Sequence, residues 1–289
     1  MATKAFCPGH VTGFFEIRQS ENILAMGSRG AGMCLSLGST STVQVEEAKR
    51  QIIEITLDGR KTQAPVTKTA LRYLLGDKKL RVKVDTVHNL PVSQGFGMSA
   101  AGALSASIAL AHELDVRRQT AVEAAHIAEI KHKSGLGDVS ALRRGGITIR
   151  VKPGLPPTGR VVNIEGTPNV VLAVLGRGLR TSTVLSNPAK RRKINRAGSE
   201  SVKRLLKEPT VHRFMELSNA FSLESGLATR RIMEAVNAAS KLGVASMAML
   251  GNSVFAIGDA EGLASVLSDY GETWVCKVDL KGPRIIQRA

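Results

Sequence analysis

The order and spacing of candidate strands and helices predict an α+β protein in two lobes, and three observations carry that expectation. Segments with period-two alternation and segments with helical spacing follow one another without regular βαβ repetition, which disfavours a doubly wound parallel sheet. At 289 residues the chain can bury one large core or two of ordinary size. The stretch "KPGLPPTGR", residues 152–160, gathers three prolines and two glycines, as a domain boundary or a long exposed connection does. The division expected from it is an N-terminal lobe over 1–160 and a C-terminal lobe over 161–289.

Taken in order, "RQIIEITLDGR" (50–60) alternates and closes on Asp-Gly, and "RVKVDTVHNL" (81–90) places Val82, Val84, Thr86 and His88 on one side; both read as strands. Between them "TKTALRYLLG" has helical spacing and ends on Gly76. Helical patterns run over 97–113 and 119–131, the second with Thr120 and Glu123 spaced as a capping box. "GGITIRV" (145–151) is a short β-branched strand and "NVVLAVLG" (169–176) a buried one. Helical sequence fills 187–241, beginning after "SNP". "ASMAMLGNSVFAIGD" (245–259) reads as a hairpin, "AEGLASVLSDYG" (260–271) as a helix and "TWVCKVDL" (273–280) as a last strand. No internal repeat or low-complexity tract interrupts this order.

Composition excludes several classes. Hydrophobic residues at 43% and charged residues at 22% are those of a globular chain. No apolar run is long enough for a transmembrane helix and the N-terminus lacks a signal-peptide core, so a cytoplasmic protein without membrane association is expected. Cys7, Cys34 and Cys276 are odd in number and lack CxxC spacing, which suggests reduced thiols rather than disulfides or a zinc site. The net charge of +16 raises nucleic acid as a partner, but only ten aromatic residues are present, too few for a base-stacking surface. Phosphate-bearing small molecules are a better use of the charge, and no nucleic-acid partner is expected.

The stretch most suggestive of chemistry is "GFGMSA", residues 95–100, which satisfies G-x-G-x-x-A. A dinucleotide-binding turn needs a strand running straight into the glycines and a second strand ending in an acid about 20 residues on. Asp115 has that separation, but helical sequence surrounds it. A Walker loop is absent, since "DGRKT" lacks the first glycine, and so are the HRD and DFG motifs of protein kinases. Two readings stay open beside the dinucleotide turn. The small residues after the glycines let a helix pack tightly against a sheet, or they leave the first helical turn, with its unpartnered N–H groups and positive dipole end, open to a phosphate.

Three segments in order resemble the signatures of the GHMP kinases: "FCPGHVTGFFEI" (6–17), "PVSQGFGMSAAGALSAS" (91–107) and "KSGLGDVSALRRGG" (133–146). The resemblance implies that family's two-lobed α+β fold with a ferredoxin-like C-terminal lobe, ATP as phosphoryl donor and Mg²⁺ as cofactor. Carried over residue by residue, it makes Asp138 the catalytic aspartate, which accepts or orients the acceptor's hydroxyl proton, and makes Pro91, Gly95, Gly97, Met98, Ser99, Ala100 and Ala101 the phosphate cradle. Ser99 and Glu129 become the Mg²⁺ ligands. Departures narrow the acceptor: His10 stands at the family's basic position, Phe15 replaces Gly and Ile17 replaces His, which weakens a sugar assignment. The segments are most similar to archaeal members that phosphorylate the terminal hydroxyl of pantoate. A carboxylate acceptor suits Arg150, whose guanidinium offers a bidentate fork. Ser28, Arg29, His126 and His10 complete the expected small-molecule substrate site. A third glycine-rich signature survives only as "SMAMLGNSVFAI", with Gly251 its clear remnant. A homodimer is a family-level expectation.

Overall fold

A computed structural model describes residues 2–178 and 187–287. Two sheets organise it. The larger has eight strands and is built on one long antiparallel pair, β1 (Thr3–Arg18) and β2 (Gly27–Glu47). Beyond β2 come β5 (Leu80–His88), then β3 (Ile52–Leu57), parallel to β5, and the two-residue β4 (Arg60–Lys61). The opening half of β2 pairs instead with β6 (Ile147–Lys152), which pairs with β7 (Arg160–Ile164). The chain's last strand, β12 (Arg284–Gln287), returns to β1.

The β1–β2 pair carries no alternating pattern because β1 is buried almost without interruption and β2 reads as glycine and serine. Those glycines answer to close approach. A side chain at Gly30 would meet the Phe14 carbonyl, and one at Gly32 would meet the His10 ring. Helices α1 (Pro65–Leu75), α2 (Met98–Glu113) and α3 (Arg118–His132) cover one face of the sheet. Pro65 starts α1 at a position whose N–H needs no partner, and Gly76 ends it at φ 52°. The capping-box expectation fails: α3 begins at Arg118 after Arg117, with no side-chain cap, which leaves Thr120 inside the first turn.

The second sheet holds β8 (Asn169–Val174), β9 (Gly243–Met247), β10 (Ser253–Gly258) and β11 (Glu272–Lys277), all antiparallel in the order β11-β8-β10-β9. Between β8 and β9 run α5 (Pro188–Lys207), α6 (Val211–Glu224) and α7 (Arg230–Ala239), and between β10 and β11 runs α8 (Ala260–Ser268). This β-α-β-β-α-β order is the ferredoxin-like arrangement. Side chains of Asn187, Thr210 and Thr229 cap α5, α6 and α7 by accepting the N–H three residues on. The proline-rich segment 152–160 links β6 to β7 within the larger sheet, and the second sheet starts at Asn169.

One apolar core lies between α1–α3 and the large sheet; another joins β1, β2 and β6 to the second sheet and its helices. In the latter, Phe14 sits 6.1 Å from Phe214 and Phe214 sits 6.0 Å from Phe255, ring centroid to centroid. Aromatic contacts of this kind tie the large sheet to the second sheet and its helices.

Candidate active site

The glycine loop joins β5 to α2, and its backbone explains its composition. Gly95 has φ 76° and Gly97, immediately before α2, has φ 64°, conformations that favour glycine. A Cβ on Gly95 would lie 2.9 Å from the Ala248 carbonyl oxygen and 3.0 Å from the Gly251 nitrogen. The turn between β9 and β10 therefore presses its backbone against the loop, and Ser253 Oγ donates to the Gln94 carbonyl. That contact is what remains of the third glycine-rich segment. No side chain caps α2, so its first N–H groups stay available to an anion.

This loop forms one wall of a cleft of about 310 Å³ lined by Gly95, Gly97, Met98, Ser99, Ala100, Asp138, Ser28 and Arg150. Ala101 is fully buried behind them, and neither it nor Pro91 reaches the cleft. Further walls come from Thr12, Phe15, His132 to Gly137, Met249 and Leu250. Several of these flank recognised motifs, but chain order gives no sign that they meet. A second depression, about 680 Å³, lies over β3 and β5 and contains Lys61, Lys83, Glu54 and Asp85. It is larger, yet none of its residues holds an unsatisfied buried polar atom. Converging chemistry, not volume, selects the first.

The third motif folds as a turn into a short helix, α4 (Asp138–Leu142), and Asp138 is its first residue rather than its cap. Asp138 Oδ1 lies 2.8 Å from His10 Nδ1. Burial raises the Asp138 carboxyl, but the His10 hydrogen bond and the charge of Arg150 outweigh it and hold the group below the usual carboxylate range. His10 is fully buried and does not line the cleft, so the sequence expectation of a direct substrate contact is replaced by a contact with Asp138.

Glu129, near the end of α3, is also fully buried. Its Oε1 accepts the Asp138 N–H at 3.1 Å and its Oε2 the Val139 N–H at 3.4 Å, so the carboxylate caps α4 from outside. Among the described residues it has no ion pair, with Lys133 or any other base. Burial, reinforced by the Asp138 charge, pushes its carboxyl up to about 8. Gly135 separates it from the cleft: a Cβ there would collide with Glu129 Oε1 and come within 2.8 Å of Asp138 Oδ2. The two carboxylates thus converge on one glycine.

Among the described residues Arg150, on β6, is the largest fully buried side chain, 1% exposed, and its Nε and Nη1 find no hydrogen-bond partner there. It borders the cleft beside Ser28, on β2. Both converge on Gly137, where a Cβ would lie 2.6 Å from Ser28 Oγ and 2.9 Å from Arg150 Nε. Arg29, the neighbouring candidate, is turned away: Nη1 bonds Glu16 Oε2 at 3.1 Å and Nε bonds the Val151 carbonyl at 3.0 Å. Strand alternation puts Ser28 and Arg29 on opposite faces of β2, and only Ser28 faces the cleft. His126 is fully buried, and its Nε2 donates to the Ile23 carbonyl at 3.2 Å. It fastens the segment leading into Ser28 and does not line the cleft.

A helix N-terminus open to phosphate, an aspartate beside it and an anion-seeking arginine across the cleft define a phosphotransferase of the GHMP class, and the family described as GHMP kinases N terminal domain matches residues 65–146. Pantoate kinase of Thermococcus kodakarensis is 35% identical over 280 residues, 93% of each chain. Pantoate kinase of Methanocaldococcus jannaschii is 31% identical, covering 94% of this chain and 99% of that one. A solved structure described as a phosphotransferase related to the CoA biosynthesis pathway superposes with a TM-score of 0.91 at 32% identity, over 99% of this chain and 98% of the other. The chain belongs to the pantoate kinase family within the GHMP kinases. Homoserine kinase from Cytophaga hutchinsonii, at 17% identity and a TM-score of 0.72 over 99% and 97% of the two chains, shares the fold. No described helix is long and apolar enough to cross a membrane.

Proposed function

We propose that the protein transfers the γ-phosphoryl group of ATP to the 4-hydroxyl of pantoate. One observation carries the choice of acceptor: a buried guanidinium with two unsatisfied N–H groups, beside a serine hydroxyl, borders the same cleft as the phosphate loop and Asp138. Unsatisfied buried donors are rare in native proteins and call for a partner, and a carboxylate supplies the strongest one. The apolar side chains of Phe15 and Leu136 line the same cleft and suit pantoate's paired methyl groups.

In this reading Gly95, Gly97 and the first turn of α2 hold the ATP phosphates through backbone N–H groups. Arg150 and Ser28 hold the acceptor carboxylate, which turns the far hydroxyl toward Asp138. The hydroxyl oxygen bonds to the γ-phosphorus, the bond to the oxygen bridging the β- and γ-phosphates breaks, and the hydroxyl proton passes to Asp138. A carboxylate held below its usual range is a weak base, so Asp138 chiefly aligns the hydroxyl and takes the proton as the new bond forms. Of the donors the resemblance gives to a hard divalent ion, the Ser99 hydroxyl lines the cleft, whereas Glu129 is buried behind Gly135 with both oxygens on backbone N–H groups. Mg²⁺ held at Ser99 would neutralise charge on the phosphates, and Glu129 would join it only on leaving the α4 N–H groups.

The test is ADP release from ATP and Mg²⁺ with pantoate, homoserine, mevalonate and galactose offered in turn. Turnover with pantoate alone is expected. Turnover with another acceptor and none with pantoate refutes the acceptor and leaves the family intact. Asp138→Ala is expected to abolish turnover while keeping nucleotide affinity.

A further inference from the structure

We infer that His10 is a positioning residue that acts through Asp138, holding one carboxylate oxygen as a neutral hydrogen-bond donor so that the other is aimed at the acceptor hydroxyl. The inference rests on the proposed role of Asp138 and adds a residue that touches neither substrate nor nucleotide.

Geometry assigns the proton on the imidazole. Nδ1 lies 2.8 Å from Asp138 Oδ1. Nε2 is buried, points at the backbone of Gly32 and has no hydrogen-bond partner among the described residues. A proton on Nε2 would be a buried unsatisfied donor, which is costly. The stable form is therefore the Nδ1–H tautomer, donating to Asp138, with Nε2 bare. Burial also keeps the ring neutral, drawing it below its ordinary value against the pull of Asp138. Thr12 Oγ1 lies 3.5 Å from the same Nδ1 and lines the cleft, so the Asp138 contact is the shorter and dominant one.

The slot for this ring is built from backbone. Gly32 provides the floor, since a side chain there would overlap Nε2 and Cε1. On the other side a Cβ on Gly97 would stand 3.1 Å from His10 Cβ, and the His10 N–H donates to the Phe96 carbonyl at 2.9 Å. One residue thus links the loop that would hold the phosphoryl donor to the aspartate that would meet the acceptor. With Oδ1 engaged, Oδ2 is left toward Gly135 and the cleft. A neutral donor fixes orientation without the attraction that a lysine or arginine would exert on the transferred phosphoryl group. In-line transfer depends on this alignment, and a displacement of about 1 Å can lower the rate about 100-fold.

Three substitutions test it in the full-length protein with ATP, Mg²⁺ and pantoate. In His10→Asn the amide N–H takes the place of Nδ1–H, in His10→Gln the amide lies where Nε2 was, and His10→Ala has neither. His10→Ala and His10→Gln are expected to lower kcat about 100-fold with KM for pantoate and ATP nearly unchanged, and His10→Asn to recover most of that loss. Equal losses in the Asn and Gln variants, or a raised pantoate KM with kcat intact, would each overturn the inference. Thermal melts and ATP affinity of the Asn and Gln variants, measured in parallel, separate misfolding from misalignment. Full turnover by Asp138→Ala alone would instead remove the proposed role of Asp138, a separate failure.

Discussion

Replacing Arg150 by methionine should make the ligand-free protein more stable while nearly abolishing its use of pantoate. The guanidinium is 1% exposed, two of its nitrogens lack partners, and burial draws its pKa down against the attraction of Asp138 and Glu129. Each unsatisfied buried donor costs about 1–3 kcal/mol. Methionine fills a similar volume without any. Loss of attraction to Asp138 and Glu129 offsets part of the gain, so a net stabilisation of about 1–2 kcal/mol is expected. Thermal melting without ligand should then rise by a few degrees, at about 2–4 °C per kcal/mol for a chain approaching this size. In the complex one edge of the guanidinium would face a carboxylate through two charge-assisted bonds, each contributing about 1.5–3 kcal/mol. Losing both predicts a fall in kcat/KM for pantoate of about 100- to 10,000-fold. Steady-state ADP release and melting curves with and without pantoate measure both sides. If Arg150→Met melts lower than the parent and keeps its KM for pantoate, the guanidinium is structural and the reasoning from its unsatisfied donors fails.

Other substitutions separate the roles of neighbouring residues. Gly95→Ala would force a side chain at φ 76° against the Ala248 carbonyl and Gly251 nitrogen; a stability loss of about 1–3 kcal/mol and weaker ATP binding by calorimetry are expected. Arg29→Met should leave the pantoate KM unchanged and lower stability by about 1 kcal/mol, because it breaks one of two pairs with the buried Glu16 while Arg18 still holds the other oxygen. Glu129 has a pKa raised to about 8 in the folded protein, so between about pH 4.5 and pH 8 the native state binds the extra proton and stability falls as pH rises. In metal-free buffer, Glu129→Gln should flatten that decline; an unchanged slope would show that another group titrates.

Much of the fold was legible because its elements are local. Amphipathic helices announce themselves by period, as α1 does, and half-buried strands by alternation, as β5 does. The strands β1 and β2 escaped notice because burial on both faces removes alternation, and because Gly30, Gly32 and Gly38 are there to admit neighbouring backbone and the His10 ring. Thr120 misled for a related reason: capping chemistry depends on where the helix begins, and packing of α3 started it at Arg118.

By itself the sequence determined the motif chemistry: a glycine loop before a helix of small residues, an aspartate in "GLGD", and an arginine closing "GGITIR". These are statements about residue types at short spacing, and backbone geometry over a few residues settles what such stretches can do. Only the tertiary structure decided which long-range candidates meet. Ser28 and Arg29 are adjacent in sequence, yet alternation on β2 sends one to the cleft and the other to Glu16. His10 and Asp138 are 128 residues apart and share a hydrogen bond. His126 and Glu129, three residues apart on α3, both point inward and engage backbone rather than the cleft. Burial and pairing depend on what lies across the sheet or helix, and that is fixed by the packing of whole elements, which spacing along the chain does not encode.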